Sequence, residues 1–311
     1  MQFKTIFWGN SDFVLPALEF LYEYNHIAAI FTGPDQPYGR NKKQTKVPEP
    51  KIFGHKHNIP VFQDTDLKNP EIEKRIRALK PDLMVVISYG KIIPKNLFDI
   101  PQFGTVNIHA SLLPNYRGAS PIQQTLFHGD KETGITIQKI NEKLDEGDVF
   151  AILPIPVEEN DTAISLRRKL ADLSVKGLAE LIGKLKNKET VEFIPQNGTP
   201  SYCRKIHKED GKIDWQNETA HDIFNKWRAF IQWPEIFTSY KETALKIKKI
   251  ELIDWDLNEP GEIVQADKKG LIVKAKENAI EILSLQPANG KEISYLDFLN
   301  GYKLKVGEKL G

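Results

Sequence analysis

A chain of 311 residues exceeds the size at which one compact core usually stops growing, so two domains are expected. Apolar residues make up 40% and charged residues 27%, an ordinary globular balance, and a formal charge of +1 excludes a global field drawing the chain to nucleic acid or membrane. Cys203 is the only cysteine, which excludes an intramolecular disulfide and a Cys-rich metal site, and no apolar run approaches the ~18 residues that cross a bilayer.

The start, Met1 to Trp8, reads as a strand and not as a secretory signal, because no basic stretch precedes a long apolar run. The expectation is a reduced, soluble, cytoplasmic protein with no membrane partner. Any polyanion would have to be met by local basic patches.

Taken in order, Phe3–Trp8, Ile27–Thr32, Leu83–Ser88, Thr105–His109 and Ile135–Ile140 read as strands. Leu83 to Ile87 is continuously apolar, as a strand buried on both faces of a parallel sheet should be. Between the strands lie helices with clear punctuation. Asn69 can cap a helix that has Pro70 at its first position and Ile72, Ile76 and Leu79 along one face. Ser120 and Pro121 repeat that start signal, and Gly129 can close the helix. A longer helix is expected from about Thr162 to Lys186, with Leu166, Leu170, Leu173, Leu178 and Leu181 as its buried stripe. This alternation predicts an α/β class: an open, mostly parallel, Rossmann-like sheet.

The pattern changes near residue 200. Pro195, Asn197, Gly198 and Pro200 give a linker-like composition. A helix at about Thr219–Ala229 is followed by short strands at Leu245–Ile253, Glu262–Ala266, Leu271–Lys274 and Ala279–Leu285, which suggest a small OB-like β-barrel. The expected organisation is an α/β domain over residues 1–188, a linker over 189–203 and a barrel domain over 204–311.

The stretch from Val106 to Val149 carries the chemistry. Asn107 and His109 stand two apart at the end of a predicted strand, so their side chains project to one side. Active sites of open α/β sheets gather beyond such strand ends. A histidine there can move a proton near neutral pH, and an Asn amide can donate to an oxyanion. Asp145, in a Leu-Asp-Glu-Gly-Asp turn after the next strand, could orient the histidine and hold its charged form. On spacing alone, an Asn-x-His pair is more often a satisfied polar pair, and acidic turn residues are common. The other histidines and Cys203 fall into no ligand spacing, so no metal is expected. Gly9-Asn10-Ser11 lacks the three spaced glycines of a dinucleotide site.

The run NIHASLLPNYRGASPI, followed by GITI and LDEGD, resembles the folate-dependent formyltransferase family. The resemblance implies a catalytic triad of Asn107, His109 and Asp145, with Ser111, Leu112, Leu113 and Pro114 lying against 10-formyltetrahydrofolate as formyl donor. Within the family it is strongest to the branch that formylates methionyl initiator tRNA, and it spans nearly the whole chain. Ile6–Phe13, Phe31–Arg40, Tyr202–Ile206, Ile213–Trp215, Arg228–Phe230, Trp233-Pro234 and Leu283–Ala288 all carry it. So does Ser88–Pro94, which places Tyr89, Gly90 and Ile92 beside the pterin ring. Two positions depart from the pattern. Trp8 replaces a smaller residue, which would crowd the adjoining helix, and Asn115 stands where a basic residue is common.

The implied reaction is attack by the methionine α-amine on the formyl carbon, with Asn107 and protonated His109 donating to the developing oxyanion. One such donor is worth about 2.7–4 kcal/mol of barrier. Arg40, Lys42, Lys43, Lys46 and Lys51 form a basic segment whose flanking Gly39, Pro48 and Pro50 argue against a regular element. Charge alone reads it as a solvated loop, whereas the resemblance implies contact with the tRNA acceptor stem. Lys246, Lys248 and Lys249 form a second basic surface or mere solubility charges. A monomer is implied by the resemblance only. Two rival readings stand beside it: an amino-sugar formyltransferase using the same donor, and a non-catalytic RNA-binding protein that has kept the fold.

Overall fold

The computed structural model describes residues 3–39 and 43–311; Arg40 and Lys42 of the basic segment lie outside the described residues. The chain forms two compact units, one of Met1–Pro121, Glu132–Pro156 and Arg167–Cys203, the other of Ile122–Lys131, Val157–Leu166 and Arg204–Gly311.

In chain order the first elements are β1 (Lys4–Gly9), α1 (Leu15–Tyr24), β2 (His26–Phe31), β3 (Gln36–Tyr38), β4 (Gln44–Lys46) and α2 (Glu49–Lys56). Then come β5 (Val61–Phe62), α3 (Pro70–Leu79), β6 (Leu83–Ile87), α4 (Lys95–Phe98), β7 (Thr105–His109), β8 (Arg117–Gly118) and α5 (Pro121–Phe127). β9 (Glu132–Lys139), β10 (Val149–Pro156), α6 (Ala163–Lys186) and β11 (Tyr202–Cys203) follow. The rest comprises α7 (Ala220–Phe230), β12 (Ile236–Tyr240), β13 (Thr243–Ile253), β14 (Ile263–Asp267), β15 (Gly270–Lys274), β16 (Ala279–Pro287), β17 (Ile293–Ser294) and α8 (Tyr295–Tyr302).

The first unit is built on a seven-stranded sheet of order β10-β9-β7-β6-β1-β2-β5. Strands β7, β6, β1, β2 and β5 run parallel, and β9 turns antiparallel against β7. All five residues of β6 are buried, as its unbroken apolar run requires for a central strand. The chain leaves β1 toward β2 and later returns to β6 on the other side of β1, so the order reverses between β1 and β6. Ligands of open α/β sheets bind in the crevice at the carboxyl ends beside such a reversal. Helix α3 begins where expected: the Asn69 side chain accepts from the Glu71 N–H at 3.0 Å, and Ile72 and Ile76 are fully buried.

Trp8 is fully buried with its ring stacked on Phe31 at 4.1 Å and set edge-on to Tyr89 at 5.1 Å. Its bulk is taken up by these neighbouring aromatics within a core cluster that also holds Ile72 and Ile76 of α3.

Several elements escape the sequence reading. The described part of the basic segment is not irregular: β4 pairs antiparallel with β3, and Gly39, just after β3, has a φ of +87° that only glycine adopts easily. Its flanking prolines punctuate structure without excluding it. Pro48 precedes α2 and Pro50 sits in its first turn, where a missing N–H costs nothing. Strand β10 is an edge strand, and Pro154 and Pro156 obscure its period-two pattern.

The second unit is antiparallel and strand-rich, in the order β12-β13-β16-β15-β14, with β17 on β16. Thr219 and Asp222 form a reciprocal capping box at the start of α7. The last residues close the sheet. Ile263 N–H donates to Glu308 O at 2.8 Å and Leu310 N–H to Gly261 O at 2.9 Å on the β14 side, while Gly311 N–H donates to Ser239 O of β12 at 3.0 Å. Both edges of the open ladder are thereby occupied, which gives the small barrel. Leu310 plugs this seam with 4% of its surface exposed. Leu310→Ala is expected to lower stability by about 2–5 kcal/mol, read as a fall in the unfolding midpoint with an unchanged denaturant slope.

Candidate active site

Strand β7 ends at the site. Its alternation puts Asn107 and His109 on one face, and its antiparallel register with β9 sets Gln138 opposite Asn107 and Thr136 opposite His109. Asp145 arrives from the turn after β9, in a left-handed conformation with φ of +52°. That turn needs Gly147, because a Cβ there would lie 1.7 Å from the Lys139 carbonyl oxygen.

The Asp145 carboxylate is met from several sides. Oδ1 accepts from Asn107 Nδ2 at 3.1 Å and from Gln138 Nε2 at 3.0 Å. Oδ2 accepts from the Gly118 N–H at 2.9 Å and lies 3.6 Å from His109 Nδ1. Gly118 can approach so closely only without a side chain, since a Cβ would stand 2.2 Å from the Cys203 carbonyl oxygen. The side chains of His109 and Asp145 are 7% and 11% exposed, so a charge on either is little screened by water. On its far side, His109 Nε2 donates to the Tyr116 carbonyl oxygen at 2.9 Å. Each ring nitrogen thus faces an acceptor, an arrangement that the doubly protonated ring satisfies completely.

The Ser111–Pro114 stretch follows directly. Ser111 is fully buried, its hydroxyl donating to Asn115 O at 2.6 Å and its carbonyl accepting from Thr136 Oγ1 at 2.7 Å. Leu113 is buried and its N–H donates to Thr136 Oγ1 at 3.0 Å, while Leu112 and Pro114 are half-buried. The Leu113-Pro114 peptide is cis. Tyr89 and Gly90 follow β6, the parallel neighbour of β7, and Gly90 takes a φ of +77°. Tyr89 is buried, and burial together with the Asp64 charge pushes its phenol up to about 12. Ile92 is 83% exposed.

Sequence reasoning missed four residues that hold this site. Asn10 sits at the strand-order reversal: Nδ2 donates to Tyr89 O, and Oδ1 accepts from Thr32 Oγ1 at 3.2 Å and Gly33 N–H at 2.5 Å. It therefore ties together the carboxyl ends of β1, β2 and β6. The others are Gln138, Gln196 and Arg117, whose side chains converge on the Asp145 turn. A polar residue in the buried strand β9 was a readable signal for Gln138, which is 1% exposed.

The basic residues lie elsewhere. Lys46 is on β4 and Lys43 just before it, both exposed, on the separate two-stranded hairpin. Lys51 belongs to α2 and pairs with Asp35 at 2.9 Å, a bond that holds the Asp35 carboxyl below its usual range. Lys246 and Lys248 both pair with Glu235, so they offer no pair of free cations. Burial would push Glu235 up, but these two bonds hold its carboxyl low. Among the described residues no three His, Cys, Asp or Glu side chains gather to hold a metal ion.

A family model described as formyl transferase matches residues 6–182, and one described as formyl transferase, C-terminal domain, matches residues 205–303. The chain belongs to the formyl transferase family. The methionyl-tRNA formyltransferase of Sulfurihydrogenibium sp. is 39% identical over 98% of this formyltransferase and 99% of its own length. That of Caldicellulosiruptor saccharolyticus is 41% identical over 98% and 99%. Among solved structures, the N-formyltransferase of Helicobacter canadensis, in complex with folinic acid and dTDP-3-aminofucose, aligns with a TM-score of 0.67 at 21% identity, over 91% of this chain and 99% of that one. HypX from Aquifex aeolicus in complex with tetrahydrofolic acid aligns with a TM-score of 0.65 at 15% identity over 99% of this chain. The formyltransferase spans about half of HypX, 49% of that chain. These two likenesses bear on the fold.

The lone thiol of this formyltransferase lies in the same structure. Cys203 Sγ donates to Tyr116 O at 3.3 Å, the carbonyl that His109 also meets, and burial pushes the thiol up. With its thiolate fraction reduced and its sulfur covered, native Cys203 should react with a maleimide or disulfide reagent at pH 8 far more slowly than the unfolded chain does. Equal rates for native and denatured protein would contradict this placement.

Proposed function

We propose that this formyltransferase moves the formyl group of 10-formyltetrahydrofolate onto the α-amine of methionyl initiator tRNA, for use in translation initiation. The observation that carries the reading is the near-complete match, at 39% and 41% identity, to relatives named for that substrate. The amino-sugar alternative rests on a neighbour only 21% identical. The folate donor is supported by family membership and by the tetrahydrofolate and folinic acid named in the fold neighbours. No metal is required. The proposed organisation keeps catalysis in residues 1–188, with 189–203 as linker and 204–311 as a tRNA-binding barrel.

In this reading the amine nitrogen attacks the formyl carbon, forming a C–N bond while the carbonyl π electrons move onto oxygen. Asn107 donates to that oxyanion through the Nδ2 hydrogen that Asp145 does not take, and the imidazolium of His109 turns its Nε2–H from the Tyr116 carbonyl onto it when substrate enters. Asp145, 3.6 Å from His109 Nδ1, holds the positive ring in place. Collapse of the tetrahedral centre breaks the bond to the folate nitrogen. The amine proton passes to that leaving nitrogen, by way of His109 or a water. Tyr89, Gly90, Ile92 and the Ser111–Pro114 stretch would hold the folate, with Leu112, Pro114 and Ile92 offering accessible apolar surface. Arg40, Lys42, Lys43 and Lys46 would meet phosphates of the acceptor stem.

The test is a transfer assay with 10-formyltetrahydrofolate, offering methionyl initiator and methionyl elongator tRNA side by side. Formylation of the initiator alone is expected. His109→Ala should cut kcat by about 10²- to 10⁴-fold with tRNA affinity unchanged. Full activity of His109→Ala would overturn the assigned site. Folate binding without transfer to either tRNA would put the amino-sugar reading first.

A further inference from the structure

We infer that Gln196, oriented by Arg117, is a positioning residue that sets the aim of the Asp145 carboxylate. The proposal rests on the proposed site reading and goes beyond it, because Gln196 lies 51 residues from Asp145 in sequence and touches no reacting atom.

The Gln196 amide sits at the centre of a polar chain with a fixed direction. Its Nε2 donates to Asp145 O at 2.8 Å, Gly147 O at 3.0 Å and Gln138 Oε1 at 3.2 Å. Its Oε1 accepts from Arg117 Nε at 3.2 Å and Nη2 at 2.8 Å. A guanidinium only donates and a backbone carbonyl only accepts, so the amide fits in one orientation and not the reverse. Gln138 inherits that polarity. Its Oε1, accepting from Gln196 Nε2 and from the Gly147 N–H at 3.1 Å, leaves Nε2 to donate to Asp145 Oδ1 at 3.0 Å. The direction set at Arg117 therefore runs through two amides to the carboxylate.

Arg117 is itself pinned. It is 8% exposed, its Nη1 pairs with Glu146 at 3.3 Å and donates to Tyr202 OH at 3.3 Å, and its backbone N–H donates to Ser201 O at 2.9 Å. The Asp145 turn needs such support. Its left-handed backbone is one that Asp adopts more readily than most residues but still at some cost, and bonds to the turn's carbonyls help to hold it. Gln196 bonds the carbonyls on both sides of residue 146 and so clamps the turn in the shape that keeps the carboxylate toward His109.

The test compares Gln196→Met, which fills the same volume without a donor, with Asp145→Asn and with the double variant. Gln196→Met should lower kcat for formyl transfer by about 100-fold, the loss typical of a misplacement of about 1 Å, while KM for both substrates stays unchanged. In the Asp145→Asn background the same substitution should cost nothing further, because its effect runs only through that carboxylate. The His109 ring resonances, followed by NMR in the absence of substrates, should move in the direction that Asp145→Asn moves them. If Gln196→Met leaves kcat and these resonances at wild-type values while Asp145→Asn changes both, Gln196 does not position Asp145 and the site reading stands. If the resonances move together but Asp145→Asn transfers formyl at full rate, the positioning stands and the catalytic reading fails. A Gln196→Met protein that does not fold would assign Gln196 a structural role and overturn the proposal. Unchanged thermal unfolding is the expected control.

Discussion

A carboxylate taken out of water must be given donors in exchange, and the Asp145 side chain, 11% exposed, obtains them from three parts of the chain. Asn107 and Gln138 come from adjacent strands, Gly118 from the short strand β8, and His109 Nδ1 lies 3.6 Å away. An uncompensated buried charge would cost several kcal/mol, so each donor is conditional on the others. The β7–β9 register, the glycines at 118 and 147 and the segment that carries Gln196 are all constrained by that one requirement. A shift of one residue in the β7–β9 pairing would turn Asn107 and His109 to the other face of the sheet.

The same constraint explains why the candidate site is held rigidly around Asp145. The residues around Asp145 and His109 bond to one another and to backbone, leaving little freedom in their rotamers. Ile92 and Leu144, by contrast, keep 83% and 60% of their surface exposed. Preorganised dipoles lower a barrier because they do not have to turn when charge appears, and a dense network of this kind is how a protein keeps them from turning.

Much of this was legible in the sequence where local chemistry carries the signal. The strand ending at His109, the cap at Asn69 and the long helix ending at Lys186 follow from periodicity and punctuation, and the structure places them as read. What stayed hidden depends on distance along the chain. Gln196 meets Gln138 across 58 residues, and nothing in the composition of its proline- and glycine-containing segment marks it as a site residue. The hairpin β3–β4 was hidden for a different reason, since Pro48 and Pro50 read locally as breakers although they stand at the start of α2, beyond the end of β4. Lys246 and Lys248 show the limit of counting charge: the side chain that pairs with both, Glu235, comes from another strand's approach.

The second compact unit is also not a contiguous stretch of sequence. Phe127 lies 6.0 Å from Phe230 with rings stacked, and the buried Arg228 guanidinium donates to the carbonyls of Glu158 and Glu159, both at 3.2 Å. A fragment cut at residue 204 would lack these partners and leave an arginine built for a dry, carbonyl-lined place facing solvent. The polypeptide is thus modular in appearance and interleaved in fact. During synthesis residues 122–131 and 157–166 emerge well before helix α7, whose Phe230 and Arg228 they meet.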